Sequence, residues 1–150
     1  MVWQPEIDEL ERRKKLAKKM GGEAGVTEQH RRGKLTIRER LTLLTDEGSF
    51  QEIGELAGVA SYEGNELVDV RPSNMIIGTA RLNGRCVILN GGDFTVRGGA
   101  SDASIGSKGG HAQKMALTWR LPFLRLLDSA GGSVKTFEQI GRTYIPTNPV

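Results

Sequence analysis

The sequence predicts an α/β fold: a layered unit of strands and helices with its loops gathered on one edge, headed by a helical arm. Three observations predict it. First, "MIIGTARL-NG-RCVILN" sets two β-rich runs either side of Asn83-Gly84, a pair that accepts positive φ at both turn positions. Second, from residue 91 onward glycine-rich loops alternate with a helix, a strand and a further helical stretch, the outline of a layered α/β unit. Third, the first twenty residues carry a charged helix with only a thin apolar stripe.

That first helix is "QPEIDELERRKKLAKKMGG". Pro5 suits the first turn, Glu6, Asp8 and Glu9 sit at the positive end, and Arg12 to Lys19 at the negative end. Gly21-Gly22 is expected to stop it. Ile7, Leu10 and Ala17, with Trp3 and Met20 at the ends, predict a surface arm, either solvated or packed on a neighbouring subunit. In "GKLTIRERLTLLTDEGSF" a second helix opens on a capping box, Thr36 with Glu39, and repeats Ile37, Leu41 and Leu44 on one face. "TDEGS" ends it. The hairpin follows, with Cys86 inside its second strand and expected to be buried, inert packing. A helix is predicted over about residues 107–120, then a buried strand from Leu121 to Leu127. The strand runs into Asp128-Ser129 and Ala130-Gly131-Gly132, and residues 133–140 look helical again.

Composition narrows the function classes. The chain has 150 residues, a net charge of +3, one cysteine and two histidines. The longest apolar runs fall far short of the ~20 residues of a membrane span, and the start lacks an apolar signal region. With a lone cysteine this predicts a cytoplasmic, reducing setting without disulfides. The basic excess is small and sits in the first forty residues, so nucleic acid is not an expected partner. Glycine is the outlier: 20 residues, bunched between Gly78 and Gly132.

Conventional side-chain chemistry finds little footing. His30 lies beside Arg31-Arg32, and His111 has no cysteine or carboxylate three or four residues on, so no metal site is expected. There is no GxxxxGK[ST] loop, and "GSKGG" (106–110) alone is a weak anion cradle. Ser129 has no nucleophile elbow around it. What remains is backbone. Amides at the start of a helix point outward unpaired, and at Ala130-Gly131-Gly132 no bulk keeps a ligand away, which suits a developing oxyanion. A plain strand-to-helix turn accounts for the same residues equally well. "GGDFTVRGG" has the same two readings, a loop hugging a ligand or simple turns.

Four segments carry a resemblance: "GKLTIRERLTLLTDEGSFQEIGEL", "GTARLNGRCVIL", "DFTVRGGASDASIGSKGGHAQKMA" and "LPFLRLLDSAGGSVKTFEQIG". In order and separation they are similar to the N-terminal domain of the biotin-dependent acyl-CoA carboxyltransferases. These are the β subunits of acetyl-, propionyl- and related acyl-CoA carboxylases. The last three match the family's G-T-x-x-x-x-G-R-x-V strand pair, D-F-T-V-x-G-G-S loop and D-S-G-G-A turn. The resemblance implies a crotonase-like spiral of ββα turns, incomplete here, with residues 1–45 as helical arm and entry segment and residues 46–150 as the first part of the domain.

It also implies a reaction. Carboxybiotin releases CO2, the biotin anion removes the α-proton of an acyl-CoA, and two backbone amides hold the enolate oxygen. Carried across, the oxyanion hole falls at Ala130 and Gly131, with Gly132 beside them. Gly98 and Gly99 match the glycine pair near the bound acyl-CoA, and Lys108 matches a lysine facing either the coenzyme A phosphates or solvent. The implied cofactor is biotin on a partner's carrier domain, and the implied partners are a biotin carboxylase/carrier subunit and, in the longer protein, further copies of the chain.

Three departures stand out. Ala130 replaces the family's usual glycine, Ile105 replaces a histidine typical of propionyl-CoA carboxylases, and Ser133-Val134 replaces an arginine-led segment. They leave the acyl group open, a longer or branched chain included. Family subunits are several times longer, with a second crotonase-like domain completing the site, so the resemblance implies a fragment inactive by itself. Two other classes remain: a biotin-independent decarboxylase or hydrolase of the same fold, and a non-catalytic remnant that assembles with a full-length subunit.

Overall fold

The computed structural model describes residues 2–100, 108–129, 134, 138, 139 and 141. Helix α1 runs Gln4–Ala17 with the proline in its first turn. The glycines after it make a corner rather than a stop: Met20 (φ 56°) and Gly22 (φ 78°) turn the chain straight into α2, Gly22–Arg31. Nothing in "GEAGVTEQHR" repeats on one apolar face, so α2 was invisible to periodicity. Its support comes from what it packs against. Helix α3, Ile37–Leu44, opens as expected: Glu39 N donates to Thr36 Oγ1 (3.3 Å) and Thr36 N to Glu39 Oε2 (2.7 Å). Ile37 and Leu41 are buried, but Leu44 is exposed, because the short helix turns its last residue away from the sheet.

Among the described residues six strands follow: β1 Gln51–Ile53, β2 Gly58–Glu63, β3 Glu66–Pro72, β4 Met75–Leu82, β5 Arg85–Gly92 and β6 Phe123–Leu126. Strands β1, β4, β5 and β6 form one sheet in that order, antiparallel except for β5 and β6, which run parallel with Asn90 opposite Arg125. Helix α4, Lys108–Trp119, lies between β5 and β6 in sequence and covers the sheet. This β4–β5–α4 succession, entering the next turn at β6, is the ββα unit of a crotonase-like fold.

Period-two alternation splits the hairpin between two cores. Ile76, Ala80, Val87 and Leu89 face α3 through Ile37 and Leu41. Ile77 and Ile88 face α4 through Ala112, Met115 and Ala116. The Asn83-Gly84 turn takes φ of 49° and 78°, and the Asp46 carboxylate accepts both of its amides, Asn83 N at 2.8 Å and Gly84 N at 2.7 Å.

Among the described residues β2 and β3 pair only with each other, around Gly64-Asn65, a hairpin that the sequence does not predict. The arm docks on this hairpin within the same chain: Ala17 is buried with Leu67 and Val70, and an Arg12 guanidinium N–H donates to the Leu67 carbonyl. Two further expectations are corrected. Cys86 is exposed, since its neighbour Val87 takes the inward position on β5. The final strand is shorter and less buried than expected, with Leu127 already 68% exposed where pairing with β5 has ended.

Candidate active site

In an open sheet with parallel strands, ligands bind beyond the carboxyl ends of the strands. Here those ends are Gly92 on β5 and Leu126 on β6. The loop leaving β5 is built on Asp93, which is 1% exposed. Its backbone N–H donates to Asn74 O (2.7 Å), and its Oδ1 accepts from Thr95 N (3.0 Å) and Thr95 Oγ1 (2.6 Å). Burial pushes the Asp93 carboxyl up, outweighing the two Thr95 hydrogen bonds that favour the anion.

The loop then takes three left-handed residues in a row, Arg97 (φ 51°), Gly98 (62°) and Gly99 (69°). Arginine there is uncommon, and such backbone persists only where its surroundings enforce it. Gly99 N donates to Val96 O (3.0 Å), and Asn74 Nδ2 donates to Ala100 O (2.7 Å).

The second loop meets the first backbone to backbone. A Cβ on Gly99 would stand 2.8 Å from both Asp128 O and Ser129 Cα, and one on Gly92 would stand 2.9 Å from Asp128 O. Ser129 Oγ donates to Gly99 O (2.9 Å), tying the loops together. Of the expected site residues, Gly99 therefore lies against Asp128-Ser129, directly before the predicted oxyanion segment, with Gly98 next to it in the loop. Ala130, Gly131 and Gly132 themselves lie outside the described residues, as does most of the stretch read as helical after them.

Lys108 opens α4, and its Nζ donates to Gly54 O (2.9 Å) just past β1. Burial lowers its pKa, with Glu52 acting against and Arg38 with that shift. The same two groups form an ion pair, Arg38 Nη1 to Glu52 Oε2 at 2.9 Å. The ammonium thus joins α4 to the β1 side of the sheet, and among the described residues Gly54 O takes one of its three hydrogens.

The residues that sequence reasoning missed come from α2 and the turn after it. Gln29 is 2% exposed; its Nε2 donates to Asp128 Oδ2 (2.9 Å) and to Leu35 O (3.2 Å). Lys34 Nζ reaches Asp128 Oδ1 (3.1 Å). Arg32 and Lys34 both stand over the Phe94 ring, at 5.3 and 5.2 Å from its centroid. At the other end of α2, Gly21 N donates to Thr95 Oγ1 (2.9 Å), and Gly21 lies so close to the Thr95 carbonyl that any side chain there would collide with it. No local pattern marks Gln29.

His30, read as lacking a ligand partner, makes a 3.0 Å contact with the Glu39 carboxylate. That contact, with the Thr36 bonds, holds Glu39 down to about 2. Among the described residues no group of three or more metal-ligating side chains gathers, and no helix is long and apolar enough to cross a membrane.

Comparison with known proteins places this arrangement. Residues 28–144 match the family described as the carboxyl transferase domain. The chain is similar to the propionyl-CoA carboxylase beta chain of Cereibacter sphaeroides, 37% identical over 131 residues, which cover 86% of this chain and 26% of that protein. It is 34% identical over 137 residues to the mitochondrial propionyl-CoA carboxylase beta chain of Homo sapiens, covering 85% of this chain and 24% of that one. Among solved structures it is similar to transcarboxylase 12S, a hexamer assembly determined with methylmalonyl-coenzyme A and methylmalonic acid bound. The TM-score is 0.73 at 31% identity, over 87% of this chain and 26% of that one. The chain spans about a quarter of the length of these relatives. A family match over more than half of the chain, together with a ββα unit and paired strand-end loops, leaves one assignment: the chain belongs to the carboxyl transferase domain family.

Proposed function

We propose that this chain contributes the acyl-CoA side of a biotin-dependent carboxyltransferase site, in which CO2 is transferred to the α-carbon of an acyl-CoA through a thioester enolate. The observation that carries the reading is the backbone-to-backbone seam between Gly99 and Asp128-Ser129, beyond the parallel ends of β5 and β6. Chemistry done by amides needs loops held rigidly and free of bulk, and this seam supplies both.

On this reading the amides of Ala130 and Gly131, with Gly132 next to them, hold the thioester oxygen as charge develops on it. Asp128 and Ser129 fix the chain from which those amides continue. Gly98 and Gly99 support the acyl-CoA from the opposing loop, and Lys108 offers its remaining hydrogens to the coenzyme A phosphates. Biotin, brought by a partner's carrier domain, supplies the CO2 and the base. That division of labour fits the described residues, where the strand-end carboxylates are already engaged, Asp93 by Thr95 and Asp128 by Gln29 and Lys34. We further propose that residues 46–150 form the first part of the catalytic domain, braced by residues 1–45, and that the active protein joins further copies of itself and a biotin carboxylase/carrier subunit.

The test uses the natural reading frame, read through to its own stop. Release of CO2 from malonyl- and methylmalonyl-CoA is followed with and without free biotin. Biotin-dependent loss supports the reading. Loss indifferent to biotin assigns a decarboxylase of the same fold instead, and no loss with either substrate removes this activity on these acyl groups.

A further inference from the structure

The side-chain amide of Gln29 is the most deeply buried group that touches the strand-end loops from outside them. At 2% exposure it is fully enclosed, 99 positions in sequence from the residue it holds. Both hydrogens of its NH2 are committed, one to Asp128 Oδ2 (2.9 Å) and one to Leu35 O (3.2 Å). Both partners are acceptors only, so the amide cannot be turned round: the NH2 must face them. Lys34 also reaches Asp128, but its side chain is 50% exposed, and a solvated ammonium on a flexible stem fixes direction weakly.

We propose that Gln29 is a positioning residue for the oxyanion turn. It clamps the Asp128 carboxylate to the end of α2, and so fixes the backbone from which residues 130–132 continue. Asp128 is held on its other side by Gly92 and Gly99, whose missing side chains admit its carbonyl, and Ser129 is bonded to Gly99 O. Displacing the Asp128 side chain therefore moves a backbone that has no slack on the opposite face. The inference rests on the carboxyltransferase reading and assigns that site a support from the N-terminal helices.

The test measures binding as well as turnover, on the protein from the natural reading frame. Acetyl-CoA and S-ethyl-CoA differ by the thioester carbonyl oxygen, so the ratio of their dissociation constants reports how well the amides are placed. Gln29→Glu keeps the shape but sets a carboxylate against Asp128. We expect it to raise that ratio, acetyl-CoA over S-ethyl-CoA, about tenfold while S-ethyl-CoA binds as before, since small misplacements at a preorganised site are costly. Biotin-dependent turnover should fall in kcat more than it rises in KM. Adding Asp128→Asn to Gln29→Glu restores a donor–acceptor pair with its sense reversed but leaves the new carboxylate facing Leu35 O, so it should recover only part of the change in the ratio. Arg31→Met, which removes only a solvated ion pair with Glu28 on α2, should leave the ratio within about twofold of wild type.

An unchanged ratio in a folded Gln29→Glu protein overturns the proposal, as does equal weakening of both ligands. If wild type itself shows no biotin-dependent release of CO2, the carboxyltransferase reading has failed and the role for Gln29 falls with it.

Discussion

Gly99 combines two constraints, a φ of 69° and a neighbour 2.8 Å from where its Cβ would be. Gly22 shares only the first, with φ 78° and open space around it. Gly99→Ala must strain the chain and also push Asp128 and Ser129 away, and both obstacles are backbone. We expect Gly99→Ala to cost about 1–3 kcal/mol more than Gly22→Ala in urea unfolding. Equal costs would mean that the close approach contributes nothing. Asp93 gives a second prediction at this scale. Its folded carboxyl lies above the ordinary value of 3.8 because of burial. The folded state therefore holds a proton that the unfolded state has lost, and Asp93 costs stability increasingly as pH rises from about 3.8 through its raised folded value. Asp93→Asn keeps an oxygen for Thr95 and removes the titration. Its unfolding midpoint, compared with wild type at pH 3.5 and at pH 7, should improve at the higher pH, and a difference independent of pH would refute the assignment.

The β4–β5 hairpin owes its register to residues close in sequence and to one clamp from further away. Asn83-Gly84 supplies the twist, and Asp46 binds both turn amides from the end of α3. Asp46→Ala should lower stability by about 1–2 kcal/mol, the net worth of two such bonds near the surface. It should also speed amide exchange at Asn83 and Gly84; unchanged exchange there would show the turn holding itself. These elements also explain what the sequence made legible. The capping box of Thr36 and Glu39, the Asn-Gly turn, and α4 with its alternating sheet partners all rest on chemistry within a few residues, so their patterns could be read directly. Helix α2 rests on distant partners, and so does the burial of the β2–β3 hairpin, although its two strands pair locally across Gly64-Asn65. Gln29 meets Asp128, Gly21 meets Thr95, and Arg12 meets Leu67, each more than fifty positions away. Burial of a glutamine leaves no mark in a single sequence. The glycines of the two loops were legible as a site, but whether they served a ligand or a neighbour was not. For Gly99 the neighbour is now identified as the other loop.

Across the molecule, one sheet is shared by two cores, and the strand-end loops sit at its rim under the N-terminal helices. The cores on either face of β4 and β5 draw their helices from α3 and α4, not from α1 or α2. The loops depend on the opposite set: α2 and its flanks contact Phe94, Thr95 and Asp128, while α1 is buried only against β3. Stability should therefore be divided along that line. Removing residues 1–33 strips Gln29, Arg32 and Gly21 from the loops and Met20 from the edge of the α3-facing core, but leaves the capping box and the buried residues of both sheet cores in place. Hydrogen exchange followed by mass spectrometry should show protection lost in residues 93–99 and 127–129, and retained in Ile76–Ala80 and Val87–Leu89. Some loss over Leu67 and Val70 is also expected, because Ala17 no longer covers them. Uniform loss of protection would mean that the arm is part of the folding core. Unchanged protection in both loops would mean that the seam between Gly99 and Ser129 stands without its brace, and that the N-terminal helices play no part in holding the site.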